Sequence, residues 1–338
     1  MPSSISSSER ILREVPTADG RSAWLACCLT LAVLFLLGEL FLRSQPARPP
    51  FTQTDETWYH LLRSVRDDPA RLDTVFYGSS RTWIAACPDA FDAQMAQLGR
   101  PARSWNLGLD HASSATGLLA HLAEGLKTDL VVLEQYDVQF SQPVDPEQVL
   151  ERYRDAKQRR WKYAWDAGLT WSLAKHLLIL RDGIYTTWYH PWYFSFETHE
   201  NGWAEVRYNL TSKRLEAQRR RWVQEAHPLR IPLEAARAAQ AVYQTYFNRL
   251  LDSGSWLVVV RYPVDGPLRE AEDAALRPGY QTDFLSGRER LLYVDANTHP
   301  ALRQFRTTDY SHLDGDTARR FSAQLAVVIN GWLKAHHR

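Results

Sequence analysis

Residues 72–81 read LDTVFYGSSR, a largely apolar run that ends in a Gly-Ser-Ser turn. The apolar part, from Leu72 to Tyr77, predicts a strand, and the turn after it predicts the start of a helix. Such a turn exposes a serine hydroxyl beside free backbone N–H groups, which suits a nucleophile that attacks a carbonyl. The stretch therefore makes Ser80 a candidate nucleophile.

A second short stretch near the other end of the chain, residues 309–313, reads DYSHL and places an acid three residues before a histidine. In one loop, this spacing lets Asp309 hold the imidazole of His312 while the other ring nitrogen reaches a distant serine. Taken alone, each stretch is common, because many such histidines only satisfy a loop. Their joint occurrence at the first strand and before the last helix favours a Ser80–Asp309–His312 triad, whose members need no fixed order in a sequence.

Apolar runs alternate with helical patterns along the chain. This alternation favours a parallel sheet covered on both faces, with ligands beyond the carboxyl ends of its strands, where Ser80 falls. The predicted strands are Thr74–Tyr77, Arg103–Asn106, Leu130–Glu134, Trp256–Arg261 and Leu291–Asp295. The predicted helices include Ala112–Lys127, Leu233–Asp252 and Asp316–His336.

With these motifs the chain resembles the SGNH, or GDSL-like, hydrolase superfamily. Gly78-Ser79-Ser80 stands where the family has Gly-Asp-Ser, and residues 309–312 match its closing Asp-x-x-His block. The resemblance implies a flavodoxin-like three-layer α/β/α domain, here over 71–338, with an insertion at about 150–232. It also implies that Ser80, Asp309 and His312 are the catalytic residues.

The same resemblance suggests candidates for the oxyanion hole and for substrate binding. Residues 105–109, WNLGL, resemble the second block, whose glycine donates an N–H; in another register His111 takes that place. After the strand that ends at Glu134, the family's Gly-x-Asn-Asp is replaced by EQYD, residues 134–137, so a glutamine replaces the usual amide donor. The candidates are Asn106, Gly108, His111, Gln135 and Arg81.

Composition fits one sizeable domain. The 338 residues are 45% hydrophobic and 23% charged, with a net charge of +1, too balanced to indicate nucleic-acid binding. We find no Cys/His pattern at metal spacing and no phosphate-binding glycine loop, so we expect no metal and no cofactor. Cys87 is the single cysteine beyond residue 28, which excludes a disulfide within the domain.

The N-terminal region predicts a membrane anchor. Residues 23–42 form a run of 20 that one acid, Glu39, interrupts, which is long enough to cross a bilayer. A slight excess of arginine before the run favours a cytoplasmic tail at 1–22 and export of the large domain to the periplasm. A linker and a lead-in helix follow at 43–70. Glu39 either reaches the interface or contacts a partner helix.

The inserted segment is rich in aromatic residues, with basic residues between them. It is either a platform on which sugar rings stack, a surface that docks on the bilayer or a membrane partner, or the core of a helical subdomain. The densest part, residues 188–194, reads WYHPWYF and is expected to be partly exposed. The tryptophans are Trp161, Trp165, Trp171, Trp188, Trp192 and Trp203.

Together these features predict a single-pass protein of the cytoplasmic membrane that transfers acyl groups to an exported or cell-surface polysaccharide. It looks like the SGNH-type proteins that acetylate or deacetylate such polymers, including alginate acetyltransferases and the D-alanyl transfer protein. The resemblance implies a membrane-bound O-acyltransferase as partner. Two other functions stay open: an esterase that releases acyl groups to water, and a non-catalytic scaffold or glycan-binding component of an export complex.

Overall fold

The computed structural model describes residues 20–44, 72–108, 114–135, 194–225, 233–275, 285 and 288–336. These residues form seven strands and eight helices. The strands are β1 (Leu72–Gly78), β2 (Ser104–Gly108), β3 (Thr128–Glu134), β4 (Phe194–Thr198), β5 (Ala204–Tyr208), β6 (Trp256–Arg261) and β7 (Leu291–Asp295). The helices are α1 (Gly20–Ser44), α2 (Ser80–Ala85), α3 (Pro88–Gln97), α4 (Ser114–Glu124), α5 (Lys213–Glu225), α6 (Leu233–Asp252), α7 (Gly266–Ala275) and α8 (Gly315–Ala335).

Five parallel strands form the central sheet, in the order β2-β1-β3-β6-β7. The three consecutive valines Val258–Val260 of β6 have no exposed surface, as expected of a strand that is covered on both faces. After β1 the chain adds β2 on one side and β3 on the other. The order therefore reverses at β1 and β3, where a crevice for ligands opens beyond the strand ends.

Side chains that alternate along the strands build two cores. On one face Tyr77 and Val259 pack with Phe247 of α6, and α4 covers the same face. On the other face Phe76 and Val258 pack with residues of α3 and α8. The predicted three-layer α/β architecture with a parallel sheet is confirmed, because all five predicted strands overlap strands of this sheet.

Part of the inserted segment is also described. The strands β4 and β5 pair as an antiparallel hairpin, and α5 follows them. Trp203, immediately before β5, is 1% exposed, and its indole N–H donates to the Ile84 carbonyl over 2.7 Å. This tryptophan therefore packs in the interior against α2. Residues 150–193, which include all of the densest aromatic stretch except Phe194, lie outside the described residues.

The predicted membrane span at 23–42 falls within α1, whose apolar side chains include the exposed Trp24 and Leu31. Over the part of the chain that the structure describes, no helix has both the length and the apolar character needed to cross a membrane. Of the predicted tail at 1–22 and the predicted linker and lead-in helix at 43–70, all but residues 20–22 and 43–44 lie outside the described residues. The anchor and the export that rests on it stay predictions.

Candidate active site

The candidate nucleophile stands in a tight connection between β1 and α2. Ser79 caps α2, and its hydroxyl accepts a hydrogen bond from the Arg81 N–H over 3.2 Å. Ser80 is the first residue of the helix, and its N–H makes no hydrogen bond to any residue that the structure describes. This N–H is thus available to an oxyanion beside the Ser80 hydroxyl.

The structure brings Ser80, His312 and Asp309 together. The Ser80 hydroxyl lies 3.0 Å from Nε2 of His312, and Nδ1 of the same ring lies 2.9 Å from Oδ2 of Asp309. These distances join a hydroxyl, a base and an orienting carboxylate in the order that nucleophilic serine chemistry requires. Residues that are 232 positions apart in sequence therefore meet at the carboxyl end of β1.

The carboxylate of Asp309 is buried and strongly hydrogen-bonded. Burial alone would raise its pKa, but the neighbouring His312 and the N–H groups of Ser311 and His312, at 3.0 and 2.7 Å, lower the pKa to about 2. Asp309 is therefore ionised at neutral pH and favours the tautomer of His312 that carries its proton on Nδ1 and accepts from Ser80 on Nε2.

The loop that carries the acid and the base has an unusual backbone. Tyr310, between them, has φ of +76°, a left-handed conformation that is uncommon for a bulky residue. Its carbonyl accepts from the Asp265 N–H over 3.1 Å. Its ring lies so close to Gly266 that a Cβ there would come within 2.9 Å. The start of α7 thus fixes this conformation, which turns Asp309 and His312 towards each other.

A buried carboxylate accepts hydrogen bonds from the turn that carries Ser80. Glu134, the last residue of β3, is 1% exposed. It accepts from the Ser79 N–H over 2.7 Å, from the Ser79 hydroxyl over 2.9 Å and from the Thr82 hydroxyl over 2.8 Å. Gly78 leaves room for it, since a Cβ at Gly78 would lie 2.4 Å from its Oε2. No local motif indicates this role of Glu134, because only the pairing of β1 with β3 brings its side chain here.

Asn106 and Gly108, predicted near the oxyanion hole, are engaged with each other. The Gly108 N–H donates to Oδ1 of Asn106 over 2.8 Å, and Nδ2 of Asn106 donates to the carbonyls of Thr82 and Ala86 over 2.8 and 2.6 Å. A Cβ at Gly108 would lie 2.4 Å from the Trp83 nitrogen. In this arrangement the pair fastens α2 to β2, and the Gly108 N–H is already occupied.

The structure describes two of the three remaining candidates. The carbonyl of the Gln135 side chain accepts from the Tyr293 hydroxyl over 2.6 Å, so its side chain is held towards β7. Arg81 is 8% exposed and donates to Glu272 and Ser311. His111 lies outside the described residues. The structure thus brings together the three triad residues, but it does not bring Gln135 into contact with them.

The inserted segment contacts the loop of residues 308–312, called here the histidine loop, and no local motif indicates this contact. The Tyr208 hydroxyl lies 3.4 Å from Oδ2 of Asp309. On α5, Arg219 donates to the Thr308 carbonyl through Nε and Nη2, over 3.1 and 2.7 Å. The ring of Trp222 lies 5.7 Å from that of His312, centre to centre. Three consecutive arginines, residues 219–221, stand directly before Trp222 and give this part of α5 the pattern of a solvated face, so the sequence did not indicate this role.

An ion pair fastens the hairpin to the domain. Glu205 on β5 is 6% exposed and pairs with Arg319 of α8, with Arg207 at 3.3 Å and with His199 at 3.2 Å. Burial alone would raise the pKa of Glu205, but Arg319 and the other donors lower it. The Arg319 guanidinium also lies 4.9 Å from the centre of the Trp203 ring. This contact holds Tyr208 beside Asp309.

Two open grooves, of about 510 and 750 Å³, adjoin each other behind the histidine loop. Both are lined by Leu210, Thr308 and Asp314. Ser80 lines neither groove, so neither is the pocket in which an acyl group would meet the nucleophile.

Over the described residues, no group of three or more His, Cys, Asp or Glu side chains could hold a metal ion. A comparison of the sequence with protein-family models finds no match, and a comparison with curated proteins finds none either.

Proposed function

We propose that this chain is a membrane-anchored serine acyltransferase of the SGNH type, which transfers an acyl group to an exported or cell-surface polysaccharide through a Ser80 acyl-enzyme. The observation that carries the proposal is the contact of Ser80 with His312 and of His312 with Asp309, at 3.0 and 2.9 Å. The hydrogen bonds of Ser79 with Glu134, which fix the turn before Ser80, also support the proposal.

The first half-reaction acylates the serine. His312 takes the Ser80 proton on Nε2 while the serine oxygen attacks the carbonyl carbon of the acyl donor. The Ser80 N–H donates to the oxyanion of the tetrahedral intermediate. When the intermediate collapses, the bond to the leaving group breaks and His312 returns the proton to that group. An ester on Ser80 remains.

The second half-reaction frees the enzyme. A sugar hydroxyl replaces the leaving group, gives its proton to His312 and attacks the Ser80 ester. Collapse releases the acylated sugar and returns the proton to the serine oxygen. Trp222, beside His312, supports a sugar rather than water as the acceptor, because an aromatic wall excludes water and offers a sugar ring a flat apolar face.

The proposed protein is located at the membrane and receives its acyl group from a partner there. The apolar character of residues 23–42 supports a single N-terminal span, with the domain on the periplasmic side. A membrane-bound O-acyltransferase as the source of the acyl group is part of the same proposal. The close triad supports an enzyme over a non-catalytic scaffold, since a scaffold gains nothing from a serine held at 3.0 Å from a base.

The test uses the full chain in detergent micelles, with a fluorophosphonate probe, with p-nitrophenyl acetate, and with Ser80→Ala as the control. We expect probe labelling and acetate release from the wild type and neither from the variant. A folded wild-type chain that is not labelled at neutral pH would contradict the proposal and favour the scaffold.

A second arm separates transfer from hydrolysis. Neutral and acidic oligosaccharides are added together with p-nitrophenyl acetate, and the masses of the products are measured by mass spectrometry. An increase of one acetyl group on an oligosaccharide supports the transferase. Acetate alone, with every acceptor unchanged, favours the esterase.

A further inference from the structure

Arg81 follows the nucleophile in sequence, and its guanidinium is turned into the protein. Its side chain is 9% exposed. Nη2 donates to Oε1 of Glu272 over 2.6 Å, and Nε donates to the Ser311 hydroxyl over 3.0 Å. A guanidinium with these partners offers little to a substrate.

Both ends of this contact adjoin the triad. Arg81 is the neighbour of Ser80 on α2, and Ser311 is the neighbour of His312. The Ser311 N–H also donates to Oδ1 of Asp309 over 3.0 Å. The bond between Arg81 and Ser311 therefore connects the element that carries the nucleophile to the loop that carries the base and the acid.

The far end of the connection is fixed by buried charges. Glu272, on α7, also lies 3.4 Å from Nη2 of Arg261, the last residue of β6. Arg261 in turn pairs with Asp273 at 2.7 Å and with Asp295, at the end of β7, at 3.3 Å. Because this network ties Arg81 to two strand ends and a helix, the guanidinium cannot shift without breaking buried ion pairs.

We propose that Arg81 is a positioning residue, which sets the distance between Ser80 and His312 by bridging Glu272 and Ser311, and that it is not a substrate ligand. This inference rests on the proposed function. The planar guanidinium matters, because it reaches two acceptors in different directions from Nε and Nη2. A lysine ammonium is a single point, which keeps the pair with Glu272 and loses the bond to Ser311.

The test compares Arg81→Lys, Ser311→Ala and the double variant with the wild type, in the full chain. Arg303→Lys serves as the matched control, since Arg303 is exposed and outside the site. The probe labelling rate and the kcat and KM for p-nitrophenyl acetate are measured, with circular dichroism to show that each variant is folded. Hydrogen exchange of peptides covering residues 306–313 reports on the loop without any need for activity.

We expect Arg81→Lys to lower the labelling rate and kcat roughly tenfold or more, with KM unchanged, because a small displacement of reacting atoms is costly. Ser311→Ala should lower them by a smaller factor. The double variant should be no slower than Arg81→Lys, because both changes remove one interaction. Exchange in residues 306–313 should be faster in all three.

Two results would overturn the inference. One is a folded Arg81→Lys that keeps the wild-type kcat and raises KM, which is the behaviour of a substrate ligand. The other is wild-type labelling and exchange in both single variants. If the wild type itself is not labelled, the proposed function fails first, and the exchange result then shows whether Arg81 still orders the loop as a structural residue only.

Discussion

Ser79 and Glu134 are joined by hydrogen bonds from both the N–H and the hydroxyl of the serine, at 2.7 and 2.9 Å. The residue before the candidate nucleophile is thereby fixed to the end of the neighbouring strand. Because Glu134 also accepts from Thr82, at 2.8 Å, one buried carboxylate holds the start of α2 on both sides of Ser80. The Ser80 side chain is left to His312.

Replacing this carboxylate should disturb both stability and activity. In Glu134→Gln, an NH₂ group replaces one acceptor oxygen and faces donors, so we expect the free energy of unfolding to fall by about 2–3 kcal/mol. We also expect probe labelling of Ser80 to slow. Urea unfolding and labelling rates measure the two effects, with the exposed Glu270→Gln as control. A variant as stable and as fast as the wild type would show that the turn needs no carboxylate.

The acid of the triad should matter through its charge. Asp309→Asn keeps the shape but offers an NH₂ group to Nδ1 of His312, which favours the wrong tautomer, so kcat should fall by about 10³–10⁴. Since the pKa of Asp309 is about 2, the carboxylate is charged throughout the range from pH 5 to 8, and the variant should be slower than the wild type over the whole range. The exposed Asp252→Asn is the control. A fall of less than about tenfold would remove Asp309 from the triad.

Substituting alanine for each of two glycines should change the stability of the protein in opposite directions. A Cβ at Gly78 would lie 1.9 Å from the Thr82 hydroxyl, with buried Glu134 beside it, so Gly78→Ala should cost about 3 kcal/mol or more and prevent labelling. Gly331 is exposed on α8, with no atom within 4 Å of an added Cβ, so Gly331→Ala should stabilise by about 1 kcal/mol. Thermal unfolding of both variants tests the contrast, and equal shifts would contradict it.

Trp222 should lower the fraction of the acyl-enzyme that water hydrolyses. Removing the ring beside His312 in Trp222→Ala opens the site to water, so the ratio of hydrolysis to transfer should rise several-fold. Trp222→Phe keeps a wall and should stay near the wild-type ratio. Product analysis with p-nitrophenyl acetate and an oligosaccharide measures both. An unchanged ratio in the alanine variant would mean that water reaches the ester by another route.

His121 should make stability depend on pH. Burial lowers its pKa to about 4, from 6.5, and Nδ1 lies 2.9 Å from the Tyr77 hydroxyl. Between these two pH values the unfolded chain binds more protons than the folded one. The contribution of neutral His121 to the free energy of unfolding is therefore complete above pH 6.5 and is lost as the pH falls towards 4. The loss amounts to roughly 3 kcal/mol.

The measurement is the stability of wild type minus that of His121→Gln between pH 7 and pH 4. Comparing the two proteins is necessary because Asp92, whose pKa burial raises to about 6, has the opposite effect on stability. Its contribution to the free energy of unfolding is complete below pH 3.8 and is lost as the pH rises through 6. Asp92 is present in both proteins and cancels. A difference that does not change with pH would show that His121 does not stay neutral in the fold.

The five strands of the sheet, and the residues Ser80, Asp309 and His312 that the structure brings together, could be predicted from the sequence alone. Apolar runs such as 256–261 and short motifs such as Gly78-Ser79-Ser80 are local, so hydrophobic pattern and turn chemistry identify them. The same local reasoning placed Gly108 and Gln135 at the oxyanion, where the structure instead shows an N–H held by Asn106 and a carbonyl held by Tyr293.

Only the tertiary structure decided what surrounds the triad. Glu134 contacts Ser79, 55 positions away, and Arg81 contacts Ser311, 230 positions away. Trp222, from the inserted segment, has its ring 5.7 Å from that of His312, centre to centre. No period or motif encodes such pairs, because each depends on which strands become neighbours and on how α5 packs. Local pattern therefore names the candidate reacting groups, while the long-range packing of buried charges and rings sets their geometry.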